Sequence, residues 1–244
     1  YPADKVVNSF GVQDDFLYDY AIPVLNQRAA TGQPFFATLL SISNHPPYVI
    51  PPFFHPKTSE PETQIVEYAD WALRQFFEEA RKQPWFDNTI FVLEGDHGKL
   101  VGDAECELPE SYNHIPLMIY SSRIQPEEKT TFGGQVDIQP TILGLLNIDY
   151  LQNNFGVDLL KEERPCMFYT ADNMVVGRND TLLYLYNYET QQELTYDIGN
   201  GKLNAVPMDD SFLPLKEYSF SMLQSAEFLV KHGKTLNSIP FTQQ

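Results

Sequence analysis

Cysteine is nearly absent. The 244 residues contain two, Cys106 and Cys166, and no Cys-x-x-Cys or Cys/His zinc spacing, which excludes a disulfide-rich scaffold or a structural zinc cluster. The two thiols can form one bridge, but sequence alone does not bring their Cα atoms together, and two ordinary thiols is the simpler reading. So few cysteines suit a cytosolic protein or a bacterial surface protein equally. Basic residues are also scarce: 16 Lys and Arg stand against 33 Asp and Glu, a net charge of −17. That field argues against nucleic acid or an anionic membrane as a partner of the bulk surface. An anionic substrate then needs a local cation to overcome it. No apolar run approaches the roughly 18 residues of a membrane span, and no signal peptide is visible. Missing too are the Gly-x-Ser-x-Gly elbow, the Walker loop, Gly-x-Gly-x-x-Gly and His-Glu-x-x-His. The chain starts at Tyr1-Pro2 without a methionine, which fits a processed protein or an excised part.

What is present suffices for a core: hydrophobic residues make up 43% and aromatics 14%, far from a disordered composition. Phe35–Ile42 is an apolar run that reads as a strand buried on both faces. It ends in the stiff loop Ser43-Asn44-His45-Pro46-Pro47-Tyr48, where consecutive prolines forbid a helix. Ile65, Tyr68, Ala69, Ala72, Phe76 and Ala80 recur at three- and four-residue steps and predict a helix over about 62–82, with Pro84 just beyond it. Thr89–Leu93 and Pro116–Ser121 are two further strands, and 136–146 is a short helix with Pro140 in its first turn. This alternation predicts an α/β sheet flanked by helices over 1–160. After about Asp158 the pattern changes. Short β-like runs at 167–170, 173–177, 181–186 and 194–197, separated by turn residues, predict a small antiparallel meander. A last helix, about 215–232, closes a C-terminal subdomain over 161–244, with Gly233 as its cap.

The chemistry gathers near strand ends. Gly95-Asp96-His97-Gly98 follows a buried strand directly, where sites collect in open α/β sheets. A carboxylate and an imidazole there suit a divalent cation, and the two glycines let the backbone turn tightly and approach a ligand. The competing reading is a loop turn with a solvated Asp and a surface His. His45 ends another apolar run. Its neutral imidazole can donate to a phosphate or sulfate oxygen or act as a general acid, or simply bond to backbone. His114 opens the third strand, and Lys99, if not merely solvated, offsets anionic charge. His55 and His232 lack such context and read as surface residues. The acidic helix face of Glu67, Asp70, Glu78 and Glu79 reads as solvated.

Taken in order, these pieces resemble a family. They are Phe35-Phe36-Ala37 with Leu39, Ser41 and Ser43-Asn44-His45, then Tyr68-Ala69-Asp70. Asn88-Thr89-Ile90-Phe91-Val92 leads into Gly95-Asp96-His97-Gly98. Asn113-His114-Ile115-Pro116-Leu117-Met118-Ile119-Tyr120 and Val136-Asp137-Ile138 with Pro140-Thr141-Ile142-Leu143 follow. Gly11-Val12-Gln13-Asp14 with Phe16-Leu17 adds an upstream piece. The set is similar to the sulfatase-like catalytic domain of lipoteichoic-acid synthases and related phosphoglycerol transferases, in the alkaline phosphatase superfamily. The likeness spans about Phe10–Leu160. From Arg164 onward it resembles the family's small C-terminal sheet and closing helix in pattern only.

The resemblance implies one divalent metal, manganese first, with magnesium, calcium or zinc as alternatives. It is held by an Asp-His pair, an acidic residue and a threonine nucleophile. Asp96 and His97 match the pair, and His45 matches a histidine lining the substrate site; His114 and Lys99 join it as substrate-binding candidates. The implied substrate is an anionic phosphoglycerol head group or a sulfate ester. Its attack by the nucleophile gives a covalent intermediate resolved by water or a glycerol hydroxyl. The implied setting is the extracellular or periplasmic face of a bacterial membrane, with anchoring segments outside this chain. Two departures stand out. Nothing before Phe10 supplies the threonine or a sulfatase Cys-x-Pro-x-Arg, so the expectation is a catalytic domain without its first part and inactive alone. The Asp-His-Gly-Lys sequence is as much sulfatase-like as transferase-like. A sulfuric ester hydrolase, or a binding domain that keeps the fold, are therefore the alternatives. His45 is expected on the same crevice as Asp96 and His97.

Overall fold

A computed structural model of the chain describes residues 2–100 and 103–234, so the end of the 161–244 segment lies outside the described residues. The chain forms two compact units. The first comprises residues 1–93 and 117–126; the second comprises 94–116 and 127–244.

The first unit opens with a small antiparallel pair, β1 (Val6–Asn8) and β2 (Gly11–Val12). It is built mainly on two helices, α1 (Asp14–Ala29) and α2 (Pro61–Ala80). Helix α2 buries Ile65, Tyr68, Ala72, Phe76 and Ala80, five of the six positions its spacing marks. Pro61 starts it, at a position where a missing N–H costs nothing. Helix α1 has no counterpart in the sequence reading. Pro23 sits inside it, and a proline there removes the N–H that would bond to Asp19. Tertiary packing holds it instead: Ala21 and Leu25 join Phe76, Ala80, Trp85 and Phe86 in one apolar cluster, and Trp85 Nε1 donates to Asn26 Oδ1 at 2.6 Å. Strands β3 (Phe91–Glu94) and β4 (Leu117–Tyr120) pair as a two-stranded sheet. Phe91 packs against Phe77, Phe86 and Tyr120.

The run 35–42 departs from expectation. It is not assigned to any sheet among the described residues, and Phe36 and Leu40 are 89% and 69% exposed. An apolar sequence favours a buried strand only where a neighbouring strand satisfies its backbone groups. Here only Ile42 and Ser43, at its end, are buried.

The second unit carries α3 (Ile138–Leu145), the strands β5 (Met167–Ala171), β6 (Met174–Arg178), β7 (Leu182–Asn187), β8 (Gln192–Asp197) and β9 (Asn204–Ala205), and α4 (Leu213–Lys231). The five strands form an antiparallel sheet in sequence order; β5 to β8 fall on the four short β-like runs, and β9 has no counterpart among them. One face buries Met174, Val176, Leu183, Leu185, Tyr196 and Ile198 with Leu108. The other carries Tyr184 into a cluster with Cys166, Phe212 and Leu215, where α4 begins. Gly177 makes the contact with α4 close: a Cβ there would stand 2.6 Å from Ser219 Oγ and 3.0 Å from Leu215 O. Cys106 and Cys166 are both free thiols. Among the described residues no helix is long and apolar enough to cross a membrane.

Burial raises the pKa of several tyrosines, Tyr18 and Tyr169 to about 12 each, and pushes up Tyr68, Tyr184 and Tyr196 as well. Above the ordinary value near 10 the unfolded chain loses these protons while the fold keeps them. Stability is therefore full below pH 10 and falls as pH rises from there toward 12. Urea unfolding at pH 9 and 11 is expected to show this fall, with phenolate absorbance rising in the unfolding transition rather than before it.

Candidate metal centre

Within the second unit, Asp96 and His97 lie just past the end of β3. Both side chains are open to solvent, 76% and 71% exposed. The His97 amide donates to Asp96 Oδ1 at 3.0 Å, which turns the carboxylate back toward the imidazole. His97 Nδ1 lies 2.7 Å from Gly98 O. A carbonyl oxygen only accepts, so Nδ1 carries the proton and the neutral ring keeps its lone pair on Nε2. Nε2 is 3.9 Å from Asp96 Oδ2. Metal bonds of about 2.0–2.2 Å at a tetrahedral or octahedral angle place two donors roughly 3.0–3.5 Å apart. A small rotation of these exposed side chains would bring the pair to the spacing a divalent ion takes, with the backbone bond at Nδ1 favouring the tautomer that ligation requires. Among the described residues no group of three or more His, Cys, Asp and Glu is gathered for a metal.

The surroundings hold the backbone of the pair rather than its side chains. Gln135 Nε2 donates to Gly95 O at 3.2 Å and Asp96 O at 2.9 Å. The Gly98 amide donates to Tyr112 O at 2.7 Å. That carbonyl belongs to the 3-10 turn Glu110–Tyr112, whose Glu110 carboxylate accepts from Arg178 Nε on β6. One loop turn earlier, Glu107 accepts from Tyr196 OH on β8 and Leu108 enters the sheet's core. Neither Gly95 nor Gly98 has a positive φ, so the bend at Asp96 does not draw on the left-handed backbone that glycine favours. Gly98 is required by close approach to protein backbone: a Cβ there would meet Ser111 O at 1.9 Å.

Gln135 is placed by a buried ion pair. Its 3-10 turn, Gln135–Asp137, runs into α3. Asp137 is fully buried and accepts from the Gly134 amide at 2.9 Å and the Val157 amide at 2.8 Å. Arg164 Nε donates to both Asp137 oxygens at 2.9 Å, and its Nη groups reach Phe155 O and Tyr218 OH. The Val136-Asp137-Ile138 motif carries no sequence signal of this role for Asp137, and none marks Gln135 or Arg164 as its partners in the site. Local sequence offers no signal for partners 27 residues apart.

His114 and Lys99 are exposed in the second unit; the His114 amide bonds to Glu110 O at 2.8 Å. His45 belongs to the first unit. Its loop is pinned through Asp14, a buried carboxylate at the start of α1. Asp14 Oδ1 accepts the Ile42 and Ser43 amides at 3.0 Å each, and the Asp14 amide donates to Ser43 Oγ at 3.0 Å. His45 Nδ1 lies 2.7 Å from Pro46 O, which leaves Nε2 outward, and its ring packs on Phe10 at 4.0 Å between centroids. His55 and His232 are exposed, as expected. A cavity of about 300 Å³ lined by Pro140, Gly144, Asp158 and Lys161 includes neither Asp96 nor His97.

This architecture is that of the alkaline phosphatase superfamily. A solved superfamily protein from Vibrio parahaemolyticus superimposes with a TM-score of 0.77 at 26% identity, over 91% of this chain and 56% of its own. The solved structure titled Ps i-CgsB shares the fold, with a TM-score of 0.63 at 17% identity, over 89% of this chain and 54% of that one. The chain belongs to the sulfatase family, whose model matches residues 2–148. Lipoteichoic acid synthase 1 of Bacillus subtilis is 27% identical over 221 residues, 82% of this chain and 33% of that protein. Lipoteichoic acid synthase of Staphylococcus saprophyticus is 28% identical over 182 residues, 64% of this chain and 27% of its own length. The chain thus spans about a third or less of these relatives.

Proposed function

We propose that this chain is the metal-bearing part of a phosphoglycerol transferase or phosphodiester hydrolase, acting on cell-envelope lipid or glycan at the outer face of a bacterial membrane. The observation that carries this reading is the Asp96–His97 pair, with Nε2 freed by the Gly98 carbonyl, in a chain similar over 82% of its length to a lipoteichoic acid synthase. Asp96 Oδ2 and His97 Nε2 hold the ion, manganese in the first instance. Bound there, the ion supplies charge stabilisation for the transferred phosphoryl group and lowers the pKa of a nucleophile. Lys99 and His114 offer positive charge or hydrogen bonds to the anionic substrate, and His45, in the first unit, is a further candidate for substrate contact. No residue of this chain is assigned as nucleophile, and the 244 residues alone are expected to turn over neither ester. The Asp-His-Gly sequence suits a second reading, sulfate-ester hydrolysis, equally well.

In the intact protein, manganese-dependent release of the head group from a phosphoglycerol lipid is expected. Asp96→Asn and His97→Ala should each slow it by at least ~10³-fold, since the ion supplies several kcal/mol. Turnover of an aryl sulfate but not of the lipid would replace this reading with the second.

A further inference from the structure

We infer that Gln135 is a positioning residue of the Asp96–His97 site, and that the buried Asp137–Arg164 ion pair sets the site's metal affinity through it; this rests on the metal-binding reading above. The side-chain amide of Gln135 donates to two consecutive carbonyls, Gly95 O and Asp96 O. Those two peptide units carry the metal pair. Holding both fixes the direction in which the Asp96 side chain leaves the backbone, and through the Asp96–His97 peptide the start of His97. Gln135 does not touch the ion's donor atoms, so its effect passes through the backbone. It can do this because its own turn cannot drift. Two residues later Asp137 is locked by Arg164, whose side chain is 3% exposed and bonds also to Phe155 O and Tyr218 OH. A second tie runs from Arg178 on β6 through Glu110 and the Tyr112 carbonyl to the Gly98 amide. The segment 95–98 is thus held on both sides by carboxylates that arginines fix, Asp137 by Arg164 and Glu110 by Arg178 on β6. Groups one step removed from a metal tune affinity by roughly 10–100-fold.

The test uses Gln135→Met, which keeps length and neutrality but removes both donors, beside Gln135→Glu, which keeps shape and adds charge. Manganese affinity of the intact protein is read by electron paramagnetic resonance, and the His97 tautomer by nitrogen-15 resonances of the metal-free protein. Expected are an affinity loss of about tenfold in Gln135→Met, loss in Gln135→Glu despite its added negative charge, and movement of the His97 ring from one tautomer toward exchange between two. The melting temperature of the metal-free protein should hold, which separates positioning from general structural damage. Affinity within twofold of the parent together with an unchanged His97 tautomer overturns the inference. So does tighter binding by Gln135→Glu, which would mean that charge alone sets the affinity. If the parent itself binds no manganese, the functional reading fails, and the His97 tautomer then decides the positioning role by itself.

Discussion

Asp137→Leu is expected to lower the unfolding free energy of the second unit by about 5 kcal/mol, and Arg164→Met by about 3 kcal/mol. The order follows from what each substitution leaves behind. Without Arg164, the buried Asp137 carboxylate keeps two amide donors, from Gly134 and Val157. Without Asp137, the guanidinium keeps only the Phe155 carbonyl and the Tyr218 hydroxyl, and it cannot shed its charge. The double variant should cost clearly less than the sum of the two, because no unpaired ion remains. Urea denaturation of the four proteins forms the cycle. Additive costs would mean that the pair is not coupled, and the account of how the turn before α3 is fixed would be wrong.

Gly98→Ala should disable the metal pair while leaving most of the fold intact. The added Cβ would stand 1.9 Å from Ser111 O, 3.0 Å from Ser111 C and 3.2 Å from Tyr112 C. All three are backbone atoms, so no side-chain rotamer can relieve the clash, and the 3-10 turn or the Asp-His segment must move. Either movement breaks the 2.7 Å bond from the Gly98 amide to Tyr112 O and shifts the carbonyl that fixes the His97 tautomer. Overpacking of this kind costs about 1–3 kcal/mol, and manganese affinity should fall by at least tenfold, as for other losses of outer support. Gly95→Ala is the control. Its Cβ would meet the Ile115 side chain at 3.4 Å, close to ordinary contact, and affinity should stay within about twofold of the parent. Equal losses in the two variants would mean that the glycines serve the chain's conformation, or approach to a ligand, and not the approach of Ser111.

Much of the fold was legible because it rests on local periodicity. The three- and four-residue steps of α2, the turn-punctuated runs of β5 to β8 and α3, with Pro140 in its first turn, all express their burial pattern in sequence. Helix α1 was not legible. Pro23 argues against it locally, and its support comes from Asn26–Trp85 and Tyr68–Asp15 contacts with residues more than 50 positions away. The 35–42 run misled for the complementary reason, since apolar composition does not say whether a neighbouring strand is there to pair with. At the site, Asp96 and His97 stood out as chemistry-bearing residues at a strand end. What orients them did not, because Gln135, Arg164 and Arg178 act through bonds to backbone and to buried carboxylates far along the chain. The Asp14 contacts that pin the His45 loop were hidden likewise, 28 and 29 residues from their partners.

The central claim is that Asp96 and His97 together hold a divalent cation. Anomalous diffraction from crystals of the intact protein grown with manganese tests it most directly. The expected result is a manganese peak within bonding distance of both Asp96 Oδ2 and His97 Nε2, with Nδ1 still bonded to the Gly98 carbonyl. A manganese site that uses neither side chain, or His97 bonded to it through Nδ1, would contradict the account.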